Sequence, residues 1–120
     1  MSYEIEFYKR ANGREPVTEF LDELNRKNRR LLQRIYQDIK MLSDEGPDLS
    51  MPHTRYMQDG IFELRSRESS NISRIFYFFF FGDKIIMTHG FVKKTQHTPP
   101  GELEKAIRYK KDYEETHDDI

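Results

Sequence analysis

The stretch Ile75-Phe76-Tyr77-Phe78-Phe79-Phe80-Phe81 is apolar at every position, and it restricts the fold more than any other part of the chain. A strand points successive side chains to opposite faces, so a strand that is apolar throughout needs cover on both. The run is far shorter than the ~20 residues a membrane-spanning helix requires. It is therefore expected at the centre of a sheet, between two packed layers. Ile61 to Arg67 and Lys84 to Val92 also read as strands. They are joined to the central run by Glu68-Ser69-Ser70-Asn71 and by Gly82-Asp83, both short enough for hairpins. An antiparallel meander is the economical expectation.

The covering layers come from two other patterns. Val17, Phe20, Leu21 and Leu24 recur at helical spacing, and Leu32, Ile35, Ile39 and Leu42 repeat it after the polar break Asn25-Arg26-Lys27-Asn28. The first helix is expected to begin at Pro16, and Gly46-Pro47 ends the second, giving an N-terminal helical hairpin. Tyr3, Ile5 and Phe7 alternate as in a half-buried edge or near-edge strand, and Asp48 to Met57 reads as a loop leading to a strand. Thr98 as cap and Pro99 as first helical residue open a C-terminal helix with Leu103, Ala106, Ile107 and Tyr113 on one face. Its acidic end, Asp112 to Asp119, is expected to fray. The fold class is α+β: an antiparallel sheet packed against the hairpin, with a C-terminal helix, as a single domain over residues 1–120.

Composition narrows the chemistry. With no cysteine there are no disulfides, thiolate metal sites or thiol nucleophiles. Met1-Ser2-Tyr3-Glu4 leads straight into a charged segment without an apolar signal core, so a cytoplasmic location is expected, with no membrane partner. The net charge of −1 conceals a segregation. Between Met51 and His97 cations exceed anions by three, and beyond Thr98 anions exceed cations by three. Local charge decides what a polyanion can approach.

Because strand side chains alternate, Glu63, Arg65 and Arg67 share the face opposite Phe62 and Leu64, and this charged face is expected to be exposed. A hairpin brings Arg74 beside them, and the third strand delivers Lys93 and Lys94. Such a cationic pocket suits cleavage of RNA, in which the adjacent 2′-hydroxyl attacks phosphorus and the protein supplies charge stabilisation and proton transfer. Arginine forks grip phosphate oxygens, lysine places a compact charge at a leaving oxygen, and Glu63 or His89 is a candidate base. The plainer readings are a cross-strand salt bridge between Glu63 and Arg65, and a partly buried structural His89 alternating with Ile85, Met87 and Phe91. His53 and His97 are loop residues matching no metal signature, so no metal or cofactor is expected. The cluster Arg26, Lys27, Arg29, Arg30 and Arg34 is either a solvated helix face or an RNA contact.

The segments Asp59-Gly60-Ile61-Phe62-Glu63-Leu64-Arg65, Ser73-Arg74-Ile75-Phe76-Tyr77 and His89-Gly90-Phe91-Val92-Lys93-Lys94-Thr95-Gln96-His97-Thr98-Pro99, in this order, resemble the HigB-type, phage-derived branch of the RelE/ParE toxin superfamily. The resemblance implies a RelE-like fold and the toxin of a type II toxin–antitoxin system. It implies a metal-independent, ribosome-dependent mRNA endonuclease that inhibits translation and growth, neutralised by a HigA-like helix-turn-helix antitoxin through which alone it meets operator DNA. Arg65, Arg67, Arg74 and Lys94 match the family's basic catalytic set, with Lys93 and Glu63 nearby and His89 in the strand that carries acid/base candidates. Arg74→Ala or Lys94→Ala is then expected to remove cutting and leave a folded protein. The alternatives are a ParE-like DNA gyrase inhibitor without nuclease activity and a non-catalytic RNA- or protein-binding module.

Overall fold

The computed structural model describes residues 2–93 and 98–117. In chain order the elements are β1 (Glu4–Phe7), α1 (Pro16–Lys27), α2 (Arg29–Glu45), a short 3-10 turn (Gly46–Asp48), β2 (Thr54–Gln58), β3 (Ile61–Glu68), β4 (Asn71–Phe80), β5 (Lys84–Lys93) and α3 (Pro100–His117). The fold is α+β, with one five-stranded sheet in the order β1-β5-β4-β3-β2.

The apolar run lies in β4, the central strand, and both its faces are covered. Ile75 and Tyr77 join Leu64, Ile85 and Met87 in a core roofed by Val17, Leu21, Leu24, Leu31, Ile35 and Leu42 of α1 and α2. Phe76 and Phe78 join Ile61 and Ile86 under Ala106 and Tyr113 of α3. The strand ends one residue early: Phe81 has φ 54° and is 60% exposed, because it opens the turn to β5.

One residue, Asn28, separates α1 from α2. Its backbone N–H closes α1 on the Leu24 carbonyl, and its side chain accepts from the Leu31 N–H at 3.2 Å to start α2. The polar break is thus narrower than its four-residue sequence signal. Asp38 departs from the expected apolar stripe. It is buried on α2, where Arg34 Nε lies 3.5 Å from its carboxylate.

Three expectations are corrected. The sheet is mixed, because β1 pairs parallel with β5, Glu4 opposite Lys84 and Phe7 opposite Met87. Nothing forces the antiparallel sense on two strands joined by helices and three other strands, and a four-residue alternation carries no record of direction. The segment read as loop contains β2, an edge strand with only Thr54 buried and a register shift between Tyr56 and Gln58. A strand so exposed shows no apolar alternation. The acidic C-terminal segment is helical through His117, since Tyr113 is buried, its ring stacks on His117 at 3.8 Å, and Tyr8 donates to Asp112 at 2.5 Å. No helix among the described residues is long and apolar enough to cross a membrane.

Candidate functional site

Strand register brings the charged residues together at one end of β3 and β4. Arg65 stands directly opposite Arg74, with Glu63 opposite Phe76. Two like charges facing each other across a ladder repel, and Glu63 offsets the repulsion. Arg74 Nη1 lies 3.3 and 3.4 Å from its two carboxylate oxygens, and Arg65 Nε lies 3.7 Å from one of them. Thr98, just ahead of α3, accepts from Arg74 at 3.1 Å and donates to Glu63. Burial, then the charge of Arg74, lowers the pKa of Arg65.

This geometry overturns the expectation of an exposed charged face. The side chains of Glu63 and Arg74 are fully buried and that of Arg65 is 14% exposed, because α3 packs over this side of the sheet. Burial of these charges is tolerable because one carboxylate serves two guanidinium groups and its oxygens are hydrogen-bonded. Arg67 is exposed. It pairs with Ile72, which pairs in turn with the exposed Lys93, so the two cations flank one β4 residue at the sheet end. Adjacent strands lie about 4.8 Å apart, which sets the two backbones about 10 Å from each other. Lys94 lies outside the described residues, as do Thr95, Gln96 and His97.

His89 is placed by a register shift. Between the pairs Ile75–Gly90 and Tyr77–Met87, β5 has one residue more than β4. The bulge breaks the expected alternation. Ile85 and Met87 face α1 and α2, whereas His89 joins Phe76, Phe91 and Tyr109 on the α3 side. Gly90 then passes under α1, where a Cβ would lie 2.7 Å from the Phe20 ring. His89 Nε2 is 3.0 Å from Glu102 of α3, and Nδ1 is 3.3 Å from Thr88 Oγ1. Burial pushes the imidazole down to about 4, against the opposing pull of Glu102. His89 is therefore neutral at neutral pH.

The depressed value has a sign. The unfolded chain takes up a proton near pH 6.5, and the folded chain resists until about pH 4, so stability present above pH 6.5 is lost as pH falls through that window. The loss is at most about 3 kcal/mol. Urea unfolding between pH 7 and pH 4 is expected to show it, and His89→Gln should remove that part of the slope. An equal slope in the variant would assign it to other groups.

Sequence reasoning missed Thr98 and Glu102, the α3-side residues described that hydrogen-bond members of the candidate set. Thr98 was expected as a helix cap, with Pro99 as first helical residue, yet α3 begins at Pro100 and the Thr98 hydroxyl is engaged by Glu63 and Arg74. A threonine before two prolines carries no signal for a partner 35 positions away. Two cavities lie near this end. One of ≈510 Å³, between α1 and β5, is mainly apolar and holds no arginine. A second of ≈360 Å³ is lined by Arg34, Pro52, His53, Arg65, Ser66, Arg67 and Ile72. Among the described residues no group of three or more His, Asp or Glu side chains could hold a metal ion.

The sequence profile described as phage-derived protein Gp49-like matches residues 19–111. That span runs from α1 into α3 and includes Glu63, Arg65, Arg67, Arg74, His89, Lys93 and Lys94. The Gp49-like family is part of the RelE/HigB-like toxin superfamily. No curated protein matches the chain.

Proposed function

This chain belongs to the phage-derived Gp49-like family, and from that premise we propose that it is the toxin of a type II toxin–antitoxin pair, acting as a metal-independent mRNA endonuclease on the ribosome. The observation that carries the reading is the grouping of Arg65 and Arg74 on Glu63, with the exposed Arg67 two residues beyond Arg65 on β3, in a chain whose net charge is −1. A site with more cations than the one carboxylate among them suits an anionic ligand, and an RNA phosphodiester is cleaved by charge stabilisation plus proton transfer.

In this reading Arg65 and Arg67 hold the reacting phosphate and stabilise the charge that develops when the 2′-hydroxyl attacks. Glu63 and Arg74 act behind them: the carboxylate fixes the Arg65 guanidinium, and Arg74 holds that carboxylate in position through both its oxygens. Lys93 and Lys94 supply charge at the leaving oxygen. The buried, neutral His89 is reserved for proton transfer only if α3 moves, since Glu102 occupies its Nε2. The arrangement is RelE-like, with α1 and α2 as the helical hairpin of one domain over residues 1–120. The partner is a HigA-like helix-turn-helix antitoxin.

A second reading rests on one observation. Glu63, Arg74 and His89 are buried beneath α3, as befits a non-cutting member of the superfamily that binds a protein target, as a ParE-like gyrase inhibitor does. Mapping RNA 5′ ends after induced expression separates the two. New ends inside translated reading frames are expected. Growth arrest with intact messages and a DNA-damage response would replace the nuclease by the inhibitor.

A further inference from the structure

The arginines of β3 are not the only cations at this end. Three separate elements converge on the ≈360 Å³ cavity: α2 through Arg34, the segment before β2 through Pro52 and His53, and β3 through Arg65, Ser66 and Arg67. A hydrogen bond from the Arg65 N–H to the His53 carbonyl, at 2.8 Å, ties the second element to the third. Of the lining residues Ser66 and Ile72 are buried, while Arg34 and Arg67 stand exposed at the rim. Among the described residues none of those lining the cavity is acidic. Arg34 is held by the buried Asp38 below it, which fixes the guanidinium stem while its side chain stays 47% exposed. An ion pair of this kind positions an arginine at a cavity rim at lower entropic cost than a mobile surface side chain.

We propose that this cavity is a phosphate-binding subsite for the RNA strand, in which Arg34 and His53 hold a backbone phosphodiester next to the one gripped by Arg65 and Arg67. The proposal rests on the nuclease reading for the identity of the strand, and on the cavity's own residues for the site. Arg34 and His53 from two separate elements, with Arg67 at the rim and no acidic residue in the described lining, match the demand of a phosphodiester: N–H donors from different directions and no lining carboxylate to repel it. Burial first, then the charges of Arg74, Arg55 and Arg67 against the opposing Glu63, lower the Arg65 pKa beside this cavity. Such contacts position a strand without reading its bases, so the subsite sets where along the strand the scissile bond falls. It also gives a role to one member of the basic cluster on α2, Arg34, and to His53, neither of which belongs to the Glu63–Arg74 group.

The test measures binding rather than cutting. Anisotropy of a labelled 12-nucleotide single-stranded RNA is titrated with the full chain across a salt series, for the parent, Arg34→Gln, His53→Gln and the control Lys40→Gln. Lys40 lies on the same helix, outside the cavity, in an exposed pair with Asp44. Arg34→Gln is expected to weaken binding about three- to tenfold and to reduce the slope of log K against log salt by about 0.7, the value for one phosphate contact on a single strand. His53→Gln should also weaken binding, and Lys40→Gln should leave affinity and slope as in the parent. Arg34→Gln uncovers Asp38, so its melting temperature is recorded, and His53→Gln carries the test if that variant does not fold. Unchanged affinity and slope in both cavity variants, or a parent that binds no RNA, overturns the proposal. Displacement of RNA from the parent but not from Arg34→Gln by millimolar inorganic phosphate supports the site. Binding of inorganic phosphate at the cavity with no effect of either substitution on RNA would make it a site for the free ion and overturn the strand assignment. RNA binding that follows these expectations while messages stay uncut would sink the nuclease reading and leave the subsite standing.

Discussion

Arg74→Ala is expected to cost about 3–5 kcal/mol of folding stability, because it leaves the Glu63 carboxylate buried without its main counter-ion. Both side chains are fully buried, and Thr98 shares its hydroxyl between them. Against a total of about 5–15 kcal/mol for an ordinary domain, that loss removes a large part of the folded population. Urea unfolding followed by circular dichroism reads it directly. Replacing both partners, Glu63→Gln with Arg74→Met, should recover most of the loss, since no charge is then stranded. An Arg74→Ala protein as stable as the parent would mean that water reaches the pair. The sequence-based expectation that Arg74→Ala gives a folded, inactive toxin is therefore tested by the same unfolding measurement. Loss of activity in that variant would report the fold as much as the chemistry.

Arg65→Gln is the cleaner functional variant, and under the proposed function it is expected to slow message cleavage by about 10²–10³-fold, the usual loss when one preorganised donor to a developing oxyanion is removed. Glu63 keeps Arg74 in this variant, so the buried pair survives and the stability loss should be far smaller than for Arg74→Ala. Cleavage rates of a reporter message in a translating extract, with the unfolding midpoint measured alongside, separate the two effects. Cleavage within threefold of the parent would remove Arg65 from the reaction. Arg65→Lys tests geometry: a lysine restores the charge without the planar fork and should restore activity only in part.

Much of the architecture was legible because hydrophobic periodicity is a local record of burial. The doubly apolar strand announced its central position, and the two apolar stripes announced α1 and α2. Direction, edge strands and bulges leave weaker marks. β2 is exposed along most of its length and so has no alternation to read, and the extra residue near Thr88 and His89 turns His89 to the opposite face without any cue in composition. For the candidate site, the residue set could be read from charge on β3 and β4, but its burial could not. Whether Glu63 faces water or α3 depends on a helix that begins nearly forty positions later, and a polar side chain on a strand face looks the same in either case. Thr98 and Glu102 were missed for that reason.

The parallel pairing of β1 with β5 has a consequence in time. β2 to β5 are joined in sequence by short turns, so each can pair with its predecessor as soon as it is made. β1, made first, has no neighbour until the chain has been extended past Met87. Through that interval its backbone N–H and C=O groups are an open edge to which another nascent chain could add a strand. Glu4 and Glu6 within β1, with Lys9 and Arg10 just after it, surround that edge with charge, which discourages intermolecular pairing while the strand waits for its partner.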